Sequence, residues 1–300
     1  LANINTTFTC AGAYGVAKET YHCAGHKAHG TITLAEALRQ SCNIYYIQLG
    51  QRVGSQTFYN YFDAFGFTSR TGVDLPSETG FMQYYKANQL GEVQLASSAF
   101  GQAMAITPLQ MCTAVAAAVN GGYLVTPHVV DKITDANGNV IEEIGANVRR
   151  QVISESTSNV IRQIMEYEVG AGTGGGKYAY VSGYRIGGKS GTSEQLNMDR
   201  RADGDYKKVA SFAAVLPADD PEIIVYVMLD DPNNARTDYS SLLAAPVVGN
   251  IISEIAPYLG IAADGEDRSQ TVVTVPNLVG TEWSSAQVQL NIKGDRKSVV

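Results

Sequence analysis

The sequence predicts a mixed α/β protein of the α+β type, built as an antiparallel sheet flanked by helices. Three observations carry that expectation. Helix signals recur in four places, three strand-like runs follow one another between the last two helices, and short turns between adjacent runs favour antiparallel pairing.

Thr33-Leu34-Ala35-Glu36 reads as a capping box, with Thr33 as N-cap and Glu36 reaching back, and it opens a helix that runs into Ser41. Ile44 to Val53 continues as helix, which places Ser41-Cys42-Asn43 on the connection between two helices. Thr107-Pro108-Leu109-Gln110 is a second capping box with proline at the favoured first position, leading to an apolar, buried helix stopped by Gly121-Gly122. Ser154 to Glu168 is amphipathic, with Val160, Ile161, Ile164 and Met165 inside and Arg162, Glu166 and Glu168 outside, and the glycine-rich stretch from Gly170 to Gly176 ends it. The strand-like runs are Tyr180 to Ile186, Val209 to Leu216 and Ile223 to Leu229. Leu242 to Tyr258 is a further helix, with Val247, Val248, Ile251, Ile252 and Ile255 inward.

The 300 residues suffice for about two domains, and 45% apolar content supports one large core plus something smaller. Residues 1–260 form the main unit. A polar linker follows at 261–270, and 271–300 is a short strand and helix too small to hold a core alone. A net charge of −7 and a pI near 5.1 leave no basic footprint for nucleic acid. Val93 to Val130 lacks charged residues, but Gln94, Ser97, Ser98, Gln102, Gln110 and Asn120 interrupt it and Pro108 splits it, so it reads as a buried helix rather than a membrane span. Leu1 to Asn5 has no signal-peptide pattern and looks like the middle of something.

Four cysteines are too few for a disulfide-dense scaffold. Cys10 and Cys23 are near enough in sequence to pair. Cys10, Cys23, His26 and His29 can also be written as a zinc set, but the 12-residue gap between the cysteines is not a knuckle spacing. A disulfide or two ordinary thiols is the expected state.

Two short motifs carry the chemistry. Ser41-Cys42-Asn43 lies between helices, and Lys189-Ser190-Gly191-Thr192 lies at the end of a predicted strand. Such a strand offers a cation, hydroxyls and bare backbone within one short length. Lys189 supplies positive potential, Ser190 and Thr192 can hydrogen-bond a carboxylate, and Gly191 leaves room for a substrate backbone. Ser41 can pass a proton while Asn43 holds a substrate amide. Alone, Ser41 and Asn43 would be ordinary helix caps.

In this order and context the two motifs resemble two thirds of the signature of penicillin-binding proteins and serine β-lactamases, whose first element is Ser-x-x-Lys. Thr71 to Glu78, Ile106 to Gln110, Asn120-Gly121-Gly122 and Ala244-Ala245-Pro246 look like class B penicillin-binding proteins, and Val275 to Gly280 looks like the first half of a PASTA module. The division and sporulation types fit best. The resemblance implies a penicillin-binding transpeptidase fold over 1–260. It also implies cross-linking of stem peptides ending in D-Ala-D-Ala, acylation by β-lactams, no metal or organic cofactor, and a place on the extracytoplasmic face of the cell membrane, anchored upstream. Partners would be peptidoglycan stem peptides and the division or sporulation cell-wall machinery.

One departure stands against the match. No lysine here has a serine three residues before it, so Ser-x-x-Lys does not occur and the chain reads as beginning just after it. The resemblance then implies that these 300 residues alone are inactive. A non-enzymatic binding module of the same fold is the alternative. The stretch from Gly183 to Ser190 also satisfies G-x-x-x-x-G-K-[ST], yet Thr192 to Tyr206 has no apolar stripe for the helix that a P-loop must open.

Overall fold

The computed structural model describes residues 2–170, 174–196, 199–201, 204, 206–232 and 239–263. The linker from 264 onward, the PASTA-like segment and Trp283 lie outside the described residues.

Strands β1 (Thr7–Cys10), β2 (Ala13–Val16), β3 (Glu19–His22) and β4 (Gly30–Thr33) open the chain, with β1 paired to β4 and β2 to β3, both antiparallel. Helix α1 (Leu34–Arg39) starts on Thr33, whose Oγ1 accepts from the Glu36 N–H at 3.4 Å. The other half of that box does not form. Glu36 instead takes Arg39 at 2.6 Å, the Tyr167 hydroxyl at 2.9 Å and Gln40 Nε2 at 3.3 Å, so the buried carboxylate is satisfied without the Thr33 N–H. Helices α2 (Asn43–Val53), α3 (Ser55–Ala64) and α4 (Glu92–Ala99) follow.

Between α3 and α4, the Thr71–Glu78 stretch is a loop closed on itself. Glu78 accepts from the Thr71 N–H at 2.6 Å, the Thr71 hydroxyl at 2.7 Å and the Gly72 N–H at 3.0 Å. Helix α5 (Pro108–Val119) has the complete predicted box. The Thr107 N–H donates to Gln110 Oε1 at 2.9 Å, and the Gln110 N–H donates to Thr107 Oγ1 at 3.1 Å. The chain then forms β5 (Tyr123–Thr126), β6 (Lys132–Thr134), β7 (Val140–Glu143) and β8 (Asn147–Gln151), pairing β5 with β8 and β6 with β7. His128 precedes β6 and is partnered: its Nδ1 lies 2.8 Å from the Val130 carbonyl.

Helix α6 (Glu155–Gly170) buries Ile164 and Met165 as expected, but Glu168, read as an outward residue, is also buried. Strands β9 (Gly187–Glu194), β10 (Lys208–Leu216) and β11 (Ile223–Asp230) form one antiparallel sheet in the order β11-β10-β9. Helix α7 (Ser240–Tyr258) closes the described chain.

The first predicted strand is displaced. Tyr180 to Ile186 is turn and coil, and the strand begins at Gly187. Gly183, with φ of 85°, turns the chain there. The strand is glycine-rich because it is crowded: a Cβ at Gly188 would lie 2.6 Å from the buried Phe212 ring. The Lys189–Thr192 motif is therefore inside β9 rather than at the end of a preceding strand.

Strand β10 is the centre of the core. Alternation sends Phe212, Ala214 and Leu216 against Ala244, Ala245, Val248 and Ile252 of α7, while Val215 meets Val119 and Met165 on the opposite side. The sheet is thus covered by α7 on one face and by α5 and α6 on the other. Helix α7 is long and apolar enough to cross a membrane, but its buried stripe is part of this core. That stripe is narrower than predicted, since Val247 and Ile251 are exposed. Small residues bring the helix close to the sheet, and Ala244, Ala245 and Ala256 take inward positions in place of larger ones. A second core gathers Val16, Ile32, Ala37, Ile44, Tyr45 and Ile47 around α2 and the N-terminal strands.

Candidate active site

Two motifs 148 residues apart meet at one contact. Lys189 Nζ donates to Ser41 Oγ at 3.2 Å. It also reaches Ser190 Oγ at 3.2 Å and the Ser190 carbonyl at 2.8 Å, curling around the strand edge. Burial pulls the Lys189 ammonium below the ordinary lysine range, and ionised Glu168 opposes that shift.

Ser41 sits at the tight end of α1 with φ of 50°, a left-handed conformation that a non-glycine residue adopts at a cost. The turn is held from both sides. The Cys42 N–H donates to the Ala37 carbonyl at 2.9 Å, and Cys42 Sγ caps α2 by accepting from the Tyr45 N–H at 3.4 Å. Asn43 Nδ2 donates to the His22 carbonyl at 2.9 Å. That bond orients Asn43 through its amide nitrogen, and among the described residues its oxygen has no hydrogen-bond donor, so it can accept from an amide.

On β9, residues 190, 192 and 194 turn their backbone groups away from β10. Gln102 marks this edge: its Nε2 donates to the Thr192 carbonyl at 3.2 Å, and its Oε1 accepts from the Glu194 N–H at 3.2 Å. By the alternation of an antiparallel ladder, the Thr192 N–H faces the same edge. The Thr192 side chain is engaged with α7, donating to Ser240 Oγ at 2.9 Å and accepting from the Ser240 N–H at 3.3 Å. Gly191 has a packing reason as well as an access reason, because a Cβ there would lie 2.9 Å from Ser211 Oγ.

Sequence reasoning missed three contributors. Gln102 and Ser240 have no motif of their own. Glu168 was hidden by its charge, because periodicity assigns a glutamate near a helix end to solvent. Among the described residues neither of its oxygens has a hydrogen bond of good geometry. Burial pushes its carboxyl up to about 7, while Lys189, the Gly176 backbone and Arg39 pull the other way. Glu168 is thus a carboxyl held near neutrality behind Lys189.

A cluster of thiols lies beneath the Ser41 turn. Cys10, Cys23 and Cys42 are free and buried, with Cys10 Sγ 3.6 Å and Cys42 Sγ 3.7 Å from Cys23 Sγ. The Cys10–Cys23 disulfide is not formed. His29 Nδ1 is 3.4 Å from Cys10 Sγ, whereas His26 pairs with His22 at 3.0 Å and stands apart from the sulfurs.

Residues 2–253 match the family described as the penicillin binding protein transpeptidase domain. The chain belongs to this family. It is 35% identical over 287 residues to stage V sporulation protein D of Bacillus subtilis, covering 92% of this chain and 43% of that protein. It is 32% identical over 286 residues to the probable peptidoglycan D,D-transpeptidase FtsI of Caulobacter vibrioides, covering 92% of this chain and 46% of that protein. Among solved structures, penicillin binding protein 3 of Mycobacterium tuberculosis complexed with ampicillin superposes with a TM-score of 0.76 at 27% identity, over 89% of this chain and 60% of that one. The chain spans less than half the length of these two curated relatives. The family match gives the P-loop no support, and the geometry argues against it: Lys189-Ser190 lies within a strand, where a P-loop lysine precedes a helix.

Proposed function

We propose that this chain supplies most of the pocket of a peptidoglycan D,D-transpeptidase, a serine acyl transferase that cross-links stem peptides ending in D-Ala-D-Ala and is acylated by β-lactams. The 3.2 Å contact between Lys189 Nζ and Ser41 Oγ carries this reading, because it turns two weak motifs into one site.

Each group has a role in acyl transfer. The edge of β9 away from β10 takes the substrate backbone as an added strand in place of the Gln102 side chain, and the Thr192 N–H donates to the oxyanion. Lys189 and Ser190 face the substrate carboxylate. Ser41 and Lys189 form a short proton path through their 3.2 Å contact, and desolvation lowers the basicity of the half-buried ammonium. Asn43 holds the substrate amide. The nucleophilic serine and its lysine come from outside these 300 residues, so the chain by itself is inactive. No metal or organic cofactor takes part in acyl transfer. The active protein works on the extracytoplasmic face of the cell membrane with the division or sporulation cell-wall machinery, and Val275 to Gly280 belongs to a PASTA-like segment.

Fluorescent penicillin provides the test. The 300-residue chain remains unlabelled, whereas the polypeptide extended upstream to include a Ser-x-x-Lys segment is labelled covalently. Lys189→Met in that longer protein slows acylation by at least about 100-fold. Failure of the extended protein to label would favour a non-enzymatic binding module, and labelling of the 300-residue chain would transfer the nucleophile's role to a serine within it, Ser41 first.

A further inference from the structure

We propose that Cys10, Cys23, Cys42 and His29 form a zinc site that fastens the Ser41–Asn43 turn to the N-terminal strands. The four donor atoms lie within 4.8 Å of one another. A tetrahedral centre with Zn–S of about 2.3 Å and Zn–N of about 2.05 Å has S···S edges of about 3.8 Å and S···N edges of about 3.5 Å. The closest observed separations are 3.6 and 3.7 Å between sulfurs and 3.4 Å between sulfur and Nδ1. These are tetrahedron edges, whereas a disulfide needs sulfurs at about 2.05 Å and would use only two of the three.

The donors come from four separate places, namely the end of β1, the segment after β3, the approach to β4 and the N-cap of α2. No single turn explains their convergence. The three sulfurs lie in an apolar well that includes Val16, Ile32, Ala37 and Ile44, and half-buried His29 closes its outer side. Three thiolates and an imidazole suit zinc and reject the hard cations. The Tyr45 N–H already points at Cys42 Sγ, an outer-shell donor of the kind that orients a metal-bound thiolate. On binding, the thiols release their protons to solvent and His29 coordinates through an imidazole lone pair.

Cys42 stands between the two site residues Ser41 and Asn43. A metal at its sulfur therefore fixes the backbone from which both project. The role is positional, and the inference does not rest on the transpeptidase reading.

The full chain, purified with reductant and zinc and then dialysed, should retain about one zinc per chain by mass spectrometry. Cobalt substitution should give thiolate charge-transfer absorption and intense tetrahedral d–d bands. Cys10→Ser and His29→Ala should each lower the metal content to below about a tenth, while His26→Ala and Cys112→Ser keep it at about one. Chelation should speed hydrogen exchange across residues 37–46 by at least about tenfold. The proposal is overturned by a metal-free chain with all four thiols reduced, by a disulfide within the trio in place of metal, or by a weak octahedral cobalt spectrum. Equal loss of zinc in His26→Ala and His29→Ala would overturn the ligand set. Unchanged exchange after chelation would overturn the fastening of the turn.

Discussion

Replacing Glu168 by glutamine keeps the shape of a buried side chain and deletes its charge, and the consequence depends on pH. Burial pushes the carboxyl from its ordinary 4.5 up to about 7. At about 1.36 kcal/mol per pH unit, this amounts to on the order of 3 kcal/mol. Below pH 4.5 the group is protonated in both the folded and unfolded chain and contributes no pH dependence. Between 4.5 and about 7 only the unfolded chain ionises, so the native state holds the extra proton and stability falls as pH rises. Above pH 7 the full loss remains. The unfolding free energy of Glu168→Gln minus that of the wild type should therefore widen by about 3 kcal/mol between pH 4.5 and 8, measured by urea titration at closely spaced pH values with equal slopes. A difference constant to within about 0.5 kcal/mol would mean that Glu168 titrates like an exposed carboxylate. A difference that narrows would mean that the Lys189 ammonium outweighs burial and favours the ionised form.

Two further substitutions test the packing and capping around the site. Gly188→Ala should destabilise the fold by about 1–3 kcal/mol in urea unfolding, because the new methyl meets the Phe212 ring at 2.6 Å and Val169 at 3.1 Å, and Phe212 is fully buried with nowhere to move. Thr107→Ala should cost about 1 kcal/mol by removing the oxygen that accepts from the Gln110 N–H, with the loss visible as a lower urea midpoint and an unchanged slope.

What could be read from the sequence divides along a physical line. Patterns set by local chemistry were legible: the Thr107 box, the α1–α2 connection that holds Ser41-Cys42-Asn43, and the apolar runs of β10 and β11. Features set by distant neighbours were not. Gly187 and Gly188 look like loop, and only the Phe212 and Val215 side chains pressing on them show why a strand here must lack side chains. Glu168 looks exposed until α6 is laid against β9. Cys42 looks like the middle residue of a motif, and nothing in the sequence shows that the third sulfur, 19 residues beyond Cys23, comes to lie beside Cys23.

The site joins a rigid half to a half that needs support. Strand β9 is held along its length by β10 and by Phe212 beneath it, so Lys189 starts from a fixed backbone. Ser41 starts from a turn with a left-handed residue, and acyl transfer tolerates little displacement of a proton-passing group. The turn is therefore tied in three directions. Glu36 links α1 to Tyr167 of α6, Asn43 is bonded to the β3 backbone at His22, and Cys42 is sunk among the other thiols. The first tie matters most for alignment, because α6 also carries Glu168 and packs against β9. A shift of α6 would carry the acid behind Lys189 and, through Glu36, the helix leading to Ser41 in the same direction. Helix α6 thus touches both halves of the site, packing against β9 on one side and reaching α1 through Tyr167 and Glu36 on the other, while the thiol cluster holds the turn itself.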